Sequence, residues 1–179
     1  CSTLGKNTPS TFQSLDFPFM HLSRLLSVGF VFACVTMAAH AATYHLDADA
    51  GNDSADGLTP ATAWQSLAKA NAIVYLPGDS LLLKSGAIWT GRLKPQGSGT
   101  AGSRIVIDRY GSGPKPVLHG GGIAGGTVTL ENAGYWTIRN LEVTNNGTSE
   151  PKKMGIQVRN DCVGTLSGIE VRDCYVHDV

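Results

Sequence analysis

From Ser80 onward the chain breaks into short apolar runs separated by polar and Gly-rich segments. Ser80–Lys84 (SLLLK), Arg104–Asp108 (RIVID) and Lys115–His119 (KPVLH) each read as a short strand, an apolar run bounded by polar residues. Gly-rich segments, Gln96–Gly102 and Gly111–Pro114, separate them and read as turns. Upstream, Tyr44-His45-Leu46 predicts a short strand, followed by an acidic turn over Asp47–Thr59. Pro60–Leu76 predicts an amphipathic helix with Trp64, Leu67, Ala68 and Val74 near one face and Thr62 as its N-cap. Pro77-Gly78-Asp79 stops it.

The most informative pattern is an internal repeat. Ile138–Asn145 (IRNLEVTN) aligns without gaps on Val171–Asp178 (VRDCYVHD), an offset of 33. The apolar phase slips inside each copy. Trp136 and Ile138 alternate before Asn140, and Leu141 and Val143 alternate after it. In one continuous strand that slip would turn half of the apolar set toward solvent. A tight corner at Asn140, and another at Asp173, restores a common interior, and Asn and Asp tolerate the left-handed conformation such corners need. A third strand precedes each pair, carried by Val128 and Leu130 in one copy and by Ile156 and Val158 in the next. Three short strands and unequal turns make one coil of a solenoid, with like residues stacking about 4.8 Å apart. The segment Asn145–Met154 reads as a protruding loop, and its Asn146-Gly147-Thr148 sequon fits exposure.

Other features set the organisation. Met20 opens a short basic stretch with His21 and Arg24, then an apolar run from Leu25 to Met37, then Ala39-His40-Ala41. This is the form of an export signal over 20–41, too short for a span that needs about 20 apolar residues. Residues 1–19 read as upstream read-through, 42–79 as an N-terminal cap, and 80–179 as the first coils of a solenoid that continues past Val179. Secretion, to the extracellular space or the periplasm, follows, with no membrane span after cleavage. The 179 residues include 14 Lys+Arg and 14 Asp+Glu, and the zero net charge argues against a nucleic-acid partner. Of four cysteines, Cys162 and Cys174 would remain. They could pair in an oxidising compartment, although Cys174 occupies the inward slot of Leu141 and suits a small core residue.

Segment Trp136–Val179, with its Asn/Asp corners, resembles the right-handed parallel β-helix family that includes the pectate lyases. Tyr44-His45-Leu46, Gly51-Asn52-Asp53, Asp56-Gly57 and Pro60-Ala61-Thr62-Ala63-Trp64 resemble the opening of such secreted proteins, where a strand and a short helix cap the coil stack. The resemblance implies an all-β, right-handed parallel β-helix with an N-terminal capping helix. It implies a polysaccharide partner, a monomer at full length, and a lyase that cleaves uronate-containing glycan by β-elimination. The alternatives are a glycoside hydrolase on the same scaffold and a non-catalytic glycan-binding surface protein.

In the resembling lyases the substrate lies along one parallel sheet. The matching outward positions here are Thr127, Thr129 and Glu131 on one coil and Gln157 and Arg159 on the next. Thr129, Glu131, Gln157 and Arg159 are the candidate substrate contacts. A lyase needs a cation to neutralise the uronate and a base to take the α-proton, and by type Lys152, Lys153, Arg159 and His177 are the candidates. His177-Asp178 could also do acid–base work or simply form a turn. A hydrolase needs two carboxylates about 5–10 Å apart, and Glu131 alone is so placed. Asp47, Asp49, Asp53 and Asp56 could hold Ca²⁺, without the order of an EF-hand, or form a solvated turn. Trp89, Tyr110 and Tyr135 could stack on sugar rings or fill the core.

Overall fold

Short alternating segments cannot bury an apolar face singly, and here they do so by stacking. The computed structural model describes residues 40–148, 151–162 and 164–179. The segment 1–19 and nearly all of the expected signal over 20–41 therefore lie outside the described residues. The described strands are β1 (Thr43–Leu46), β2 (Ser80–Lys84), β3 (Ile88–Thr90), β4 (Ile105–Tyr110), β5 (Val117–His119), β6 (Gly125–Glu131), β7 (Trp136–Arg139), β8 (Glu142–Thr144), β9 (Lys153–Arg159), β10 (Glu170–Arg172) and β11 (Tyr175–His177). Every pairing between them is parallel. They form three sheets, ordered β1-β2-β4-β7-β10, β3-β5-β8-β11 and β6-β9. The chain visits the three in turn, as β4, β5, β6 and then β7, β8, β9, which is a parallel β-helix. No described helix is long and apolar enough to cross a membrane.

The core lies inside the coils as columns of like residues. One column runs Tyr44, Leu81, Ile107, Ile138, Val171, and another runs Trp89, Leu118, Val143, Val176. Leu81, Ile107, Ile138, Leu118 and Val143 are fully buried. Each such Leu, Ile or Val removed from water contributes roughly 1.5–3 kcal/mol. Val171 and Val176, on the edge strands β10 and β11, are 46% and 41% exposed.

The repeat expected from sequence is the pairing register. Ile138 pairs with Val171 and Val143 with Val176, the same offset in both sheets. The corners fall where the apolar phase slips, with φ of 58° at Asn140 and 54° at Asp173. Asp108 holds the first corner: its carboxylate accepts from Asn140 Nδ2 at 2.8 Å and from Arg139 Nε at 2.6 Å. At the next corner Asn145 is fully buried. Its Nδ2 donates to the carbonyls of Ile123, Gly125 and Met154, and its Oδ1 accepts from the Gly122 amide. One side chain thereby satisfies backbone groups that would otherwise be buried without partners.

The cap departs from the single helix expected over Pro60–Leu76. A 3-10 turn, Pro60–Thr62, is capped by Thr59, which accepts from the Thr62 amide while Thr62 reciprocates. Thr62 is thus the far half of a capping box and not the N-cap. Ala63 then leaves the helical region at ψ 145°. The reason is tertiary. Trp64 runs beside β1, donating its amide to His45 O at 2.8 Å and accepting from the Asp47 amide at 2.8 Å. Its ring stacks on Tyr44 at 4.8 Å, and its Nε1 donates to Ala55 O. Gly57 lies under that ring at φ 74°, where a Cβ would come within 2.4 Å of the indole. Only then does helix α1 (Leu67–Asn71) begin, capped by Ser66. Leu67 and Ala70 are buried, whereas Ala68 is exposed and Val74 is 61% exposed, bridging to Gln96.

Candidate functional site

The third sheet carries the candidate site, because its outward face is concave and gathers charged side chains. In β6 and β9, Thr129 pairs with Gln157 and Glu131 with Arg159. All four expected contacts therefore share one face. Leu93 extends this sheet: its amide donates to Thr127 O and its carbonyl accepts from the Thr129 amide. Arg92 and Lys94 flank Leu93, so the alternation that buries Leu93 turns both toward the groove.

The outer edge of the Arg92–Lys94 segment would leave backbone groups unpaired. Asn71, the last residue of α1, meets them with its side chain. Nδ2 donates to Arg92 O at 2.9 Å and Oδ1 accepts from the Lys94 amide at 2.7 Å. Gln96 Nε2 in turn donates to Asn71 O. Two adjoining concavities result. The larger, about 620 Å³, is lined by Asn71, Arg92, Lys94, Gln96, Gly97 and Glu131. The smaller, about 280 Å³, includes Arg92, Lys94, Glu131, Lys152, Gln157 and Arg159. The larger falls in the size range of small-molecule sites.

Glu131 stands where the two concavities join. Lys94 Nζ pairs with it, and Arg159 Nη1 lies 3.6 Å away. The Lys94 hydrogen bond holds its carboxyl below the usual range against partial burial, with Arg159 and Arg92 adding to the effect. Glu131 is therefore ionised at neutral pH and suits a base or nucleophile better than an acid. Arg159 also reaches Asp161 at 3.0 Å. Arg92 donates Nε to Gly126 O at 3.0 Å and Nη2 to Ala124 O. Gly126 keeps the floor shallow: a Cβ there would lie 2.6 Å from that of Gln157, whose Oε1 accepts from the Gly126 amide.

Several expectations need correction. Thr129 lines the smaller concavity but is buried, and its hydroxyl donates back to Gly126 O at 3.1 Å. Thr127 is fully buried and donates to Thr144 O, because Gly120 packs against it and Asn145. Lys152 lines the groove, whereas Lys153 turns to Gly147 O at 2.5 Å. His177 lies on the second sheet, apart from the groove, with Nε2 3.1 Å from Glu142 and Nδ1 3.0 Å from Asp178.

The expected calcium carboxylates serve the cap's backbone. Asp47 accepts from the amides of Asp49 and Ala50 and pairs with Lys84 at 2.6 Å. Asp53 accepts from the amides of Gln65 and Ser66, and Asp56 from that of Leu58. Asp49 joins none of these carboxylates in a metal-holding group. Among the described residues no set of three or more His, Cys, Asp or Glu is placed to hold a metal ion. Cys162 and Cys174 are both free, Cys162 exposed and Cys174 half-buried. Trp89 belongs to the core. Arg92, Lys94 and Asn71 were not among the sequence candidates; the only local signal was the polar–apolar–polar run Arg92-Leu93-Lys94 before Pro95.

No protein-family model matches the chain. It is 31% identical to alpha-1,3-galactosidase A of Akkermansia muciniphila over 69% of its length and 18% of that protein. It is 27% identical to a lacto-N-biosidase of Bifidobacterium longum, over 80% of its length and 12% of that protein. Among solved structures it is similar to the GH136 lacto-N-biosidase from Eubacterium ramulus, with a TM-score of 0.71 at 26% identity. That likeness covers 77% of this chain and 27% of the other. The chain thus spans less than a fifth of the length of the curated relatives it matches.

Proposed function

We propose that this chain forms part of the glycan-binding groove of a β-helix glycoside hydrolase. The observation that carries the reading is the likeness of most of the chain, in sequence and in fold, to glycosidases. The groove chemistry agrees. It offers hydrogen-bonding amides at Asn71, Gln96 and Gln157, and one ionised carboxylate, Glu131.

The β-elimination expected from sequence gives way to hydrolysis. An arginine does not deprotonate in proteins, so Arg159, tied to Glu131 and Asp161, is no base. A hydrolase needs a second carboxylate about 5–10 Å from Glu131. Glu131 supplies the base or nucleophile side of such a pair. A secreted, extracellular or periplasmic location goes with this reading.

The test is calorimetric titration of the 179-residue chain with α-1,3-linked galactosides, lacto-N-biose-terminated oligosaccharides and oligouronates. Ultraviolet absorbance for unsaturated product is followed in parallel. Glycan binding that E131Q weakens, with no unsaturated product, supports the reading. Unsaturated product from an oligouronate would return the lyase, and no binding to any glycan would overturn the proposal.

A further inference from the structure

We infer that the groove is built for a glycan that carries an anionic substituent, a sulfate or a carboxylate. The inference rests on the glycan-binding reading above and adds the charge of the ligand.

Charges in the chain balance overall, but those in the groove do not. Among the described lining residues, Arg92, Lys94, Lys152 and Arg159 face it, against the one carboxylate of Glu131. Glu131 offsets Lys94, and Arg159 is shared between Glu131 and Asp161. Among the described residues, Arg92 and Lys152 pair with no carboxylate. A concave surface of one sign concentrates counter-charged ligands.

Arg92 carries the argument furthest. Arg92 as a residue is partly buried, and the carbonyls of Gly126 and Ala124 fix the plane of its guanidinium, whose Nη2 end is open to solvent. A guanidinium has five N–H donors in a rigid fork, so further donors remain for a ligand. The hydrogen-bond acceptors of Arg92 are neutral carbonyls, and the Glu131 carboxylate feels its charge without bonding to it, so its free donors can add a charge-assisted contact to an anion. A planar, pre-aimed fork suits the two oxygens of a carboxylate or sulfate. Lys152, exposed on the loop wall across the smaller concavity, supplies a second cation that can follow the ligand.

The experiment uses the full chain and three matched ligands: a neutral galacto-oligosaccharide, the same carrying one sulfate, and the same carrying one uronate. At low salt the anionic ligands should bind about tenfold tighter than the neutral one, a difference of about 1.4 kcal/mol. Raising ionic strength toward 1 M, where the screening length falls to about 3 Å, should shrink that advantage. R92Q and K152Q should each reduce it. Because Arg92 also holds backbone carbonyls, K152Q on the exposed loop keeps the test clear of folding defects. A preference for sulfate or for carboxylate alone identifies the source of the anion and supports the inference. Equal binding of neutral and anionic ligands overturns it and leaves the glycan-binding reading intact, as does an advantage that both variants keep. Failure of all three ligands overturns the inference, and the glycan-binding reading falls with it only if the α-1,3-linked galactosides and lacto-N-biose-terminated oligosaccharides also fail to bind.

Discussion

Asn140 gives the sharpest test of how this sequence makes its corners. Its φ is 58°, and its Nδ2 donates to Asp108 at 2.8 Å. Replacement by Ala loses the hydrogen bond, worth about 1–1.5 kcal/mol at this half-buried site. It also places a plain Cβ in the left-handed region, costing about 1–2 kcal/mol. The expected loss for N140A is about 2–3.5 kcal/mol. For a chain of this length each kcal/mol lowers Tm by about 2–4 °C, so the midpoint should fall by roughly 4–14 °C. N140G loses the same hydrogen bond but not the steric term, and should lie between Ala and the parent despite its backbone entropy. N140V, β-branched, should be the least stable of the three. Urea unfolding followed by far-ultraviolet circular dichroism and by fluorescence measures this, since Trp64, Trp89 and Trp136 are all buried. The two signals must coincide for the energies to be meaningful. If N140A equals or exceeds N140G, the corner is not held by its φ and the reasoning is refuted.

Three further outcomes are expected. At Asp47, burial opposes ionisation, but Lys84 and the amides of Ala50 and Asp49 outweigh it and hold the carboxyl below its usual range. Its contribution to stability is present above about pH 4 and is lost as pH falls through the lowered folded value. Urea midpoints between pH 6 and 3 should therefore drop more steeply for the parent than for D47N, and parallel curves would count against this. Glu142 raises the His177 imidazole above its usual value, against desolvation and with Asp178 adding to the rise. An NMR titration should place the midpoint above about 6.5 and show it falling in E142Q, so an unmoved midpoint would deny the contact. Exposed Cys162 should alkylate well before Cys174, whose thiol burial raises above its usual value, as peptide mapping would reveal.

The repeat was legible in the order of residues alone. Side chains at a fixed offset stack when coils stack, so the period of Ile138–Asn145 and Val171–Asp178 is also the pairing register. The phase slips located the corners, because a tight corner is the simplest repair of strand alternation at Asn140 and Asp173. The same alternation placed Glu131 and Arg159 on one face and Cys174 in the inward slot of Leu141. What the sequence left undecided was non-local. Pro60–Leu76 carries helical spacing, yet Trp64 is drawn out to pair with β1 and stack on Tyr44, an energy no local window contains. Arg92 and Lys94 join the groove only because Leu93 bridges Val128 and Asn71 completes the edge. The acidic turn shows four aspartates close together, but only the fold assigns three of them to cap amides and one of those also to Lys84. Chain period sets the coils here; contact between coils and cap sets which charged groups face a ligand.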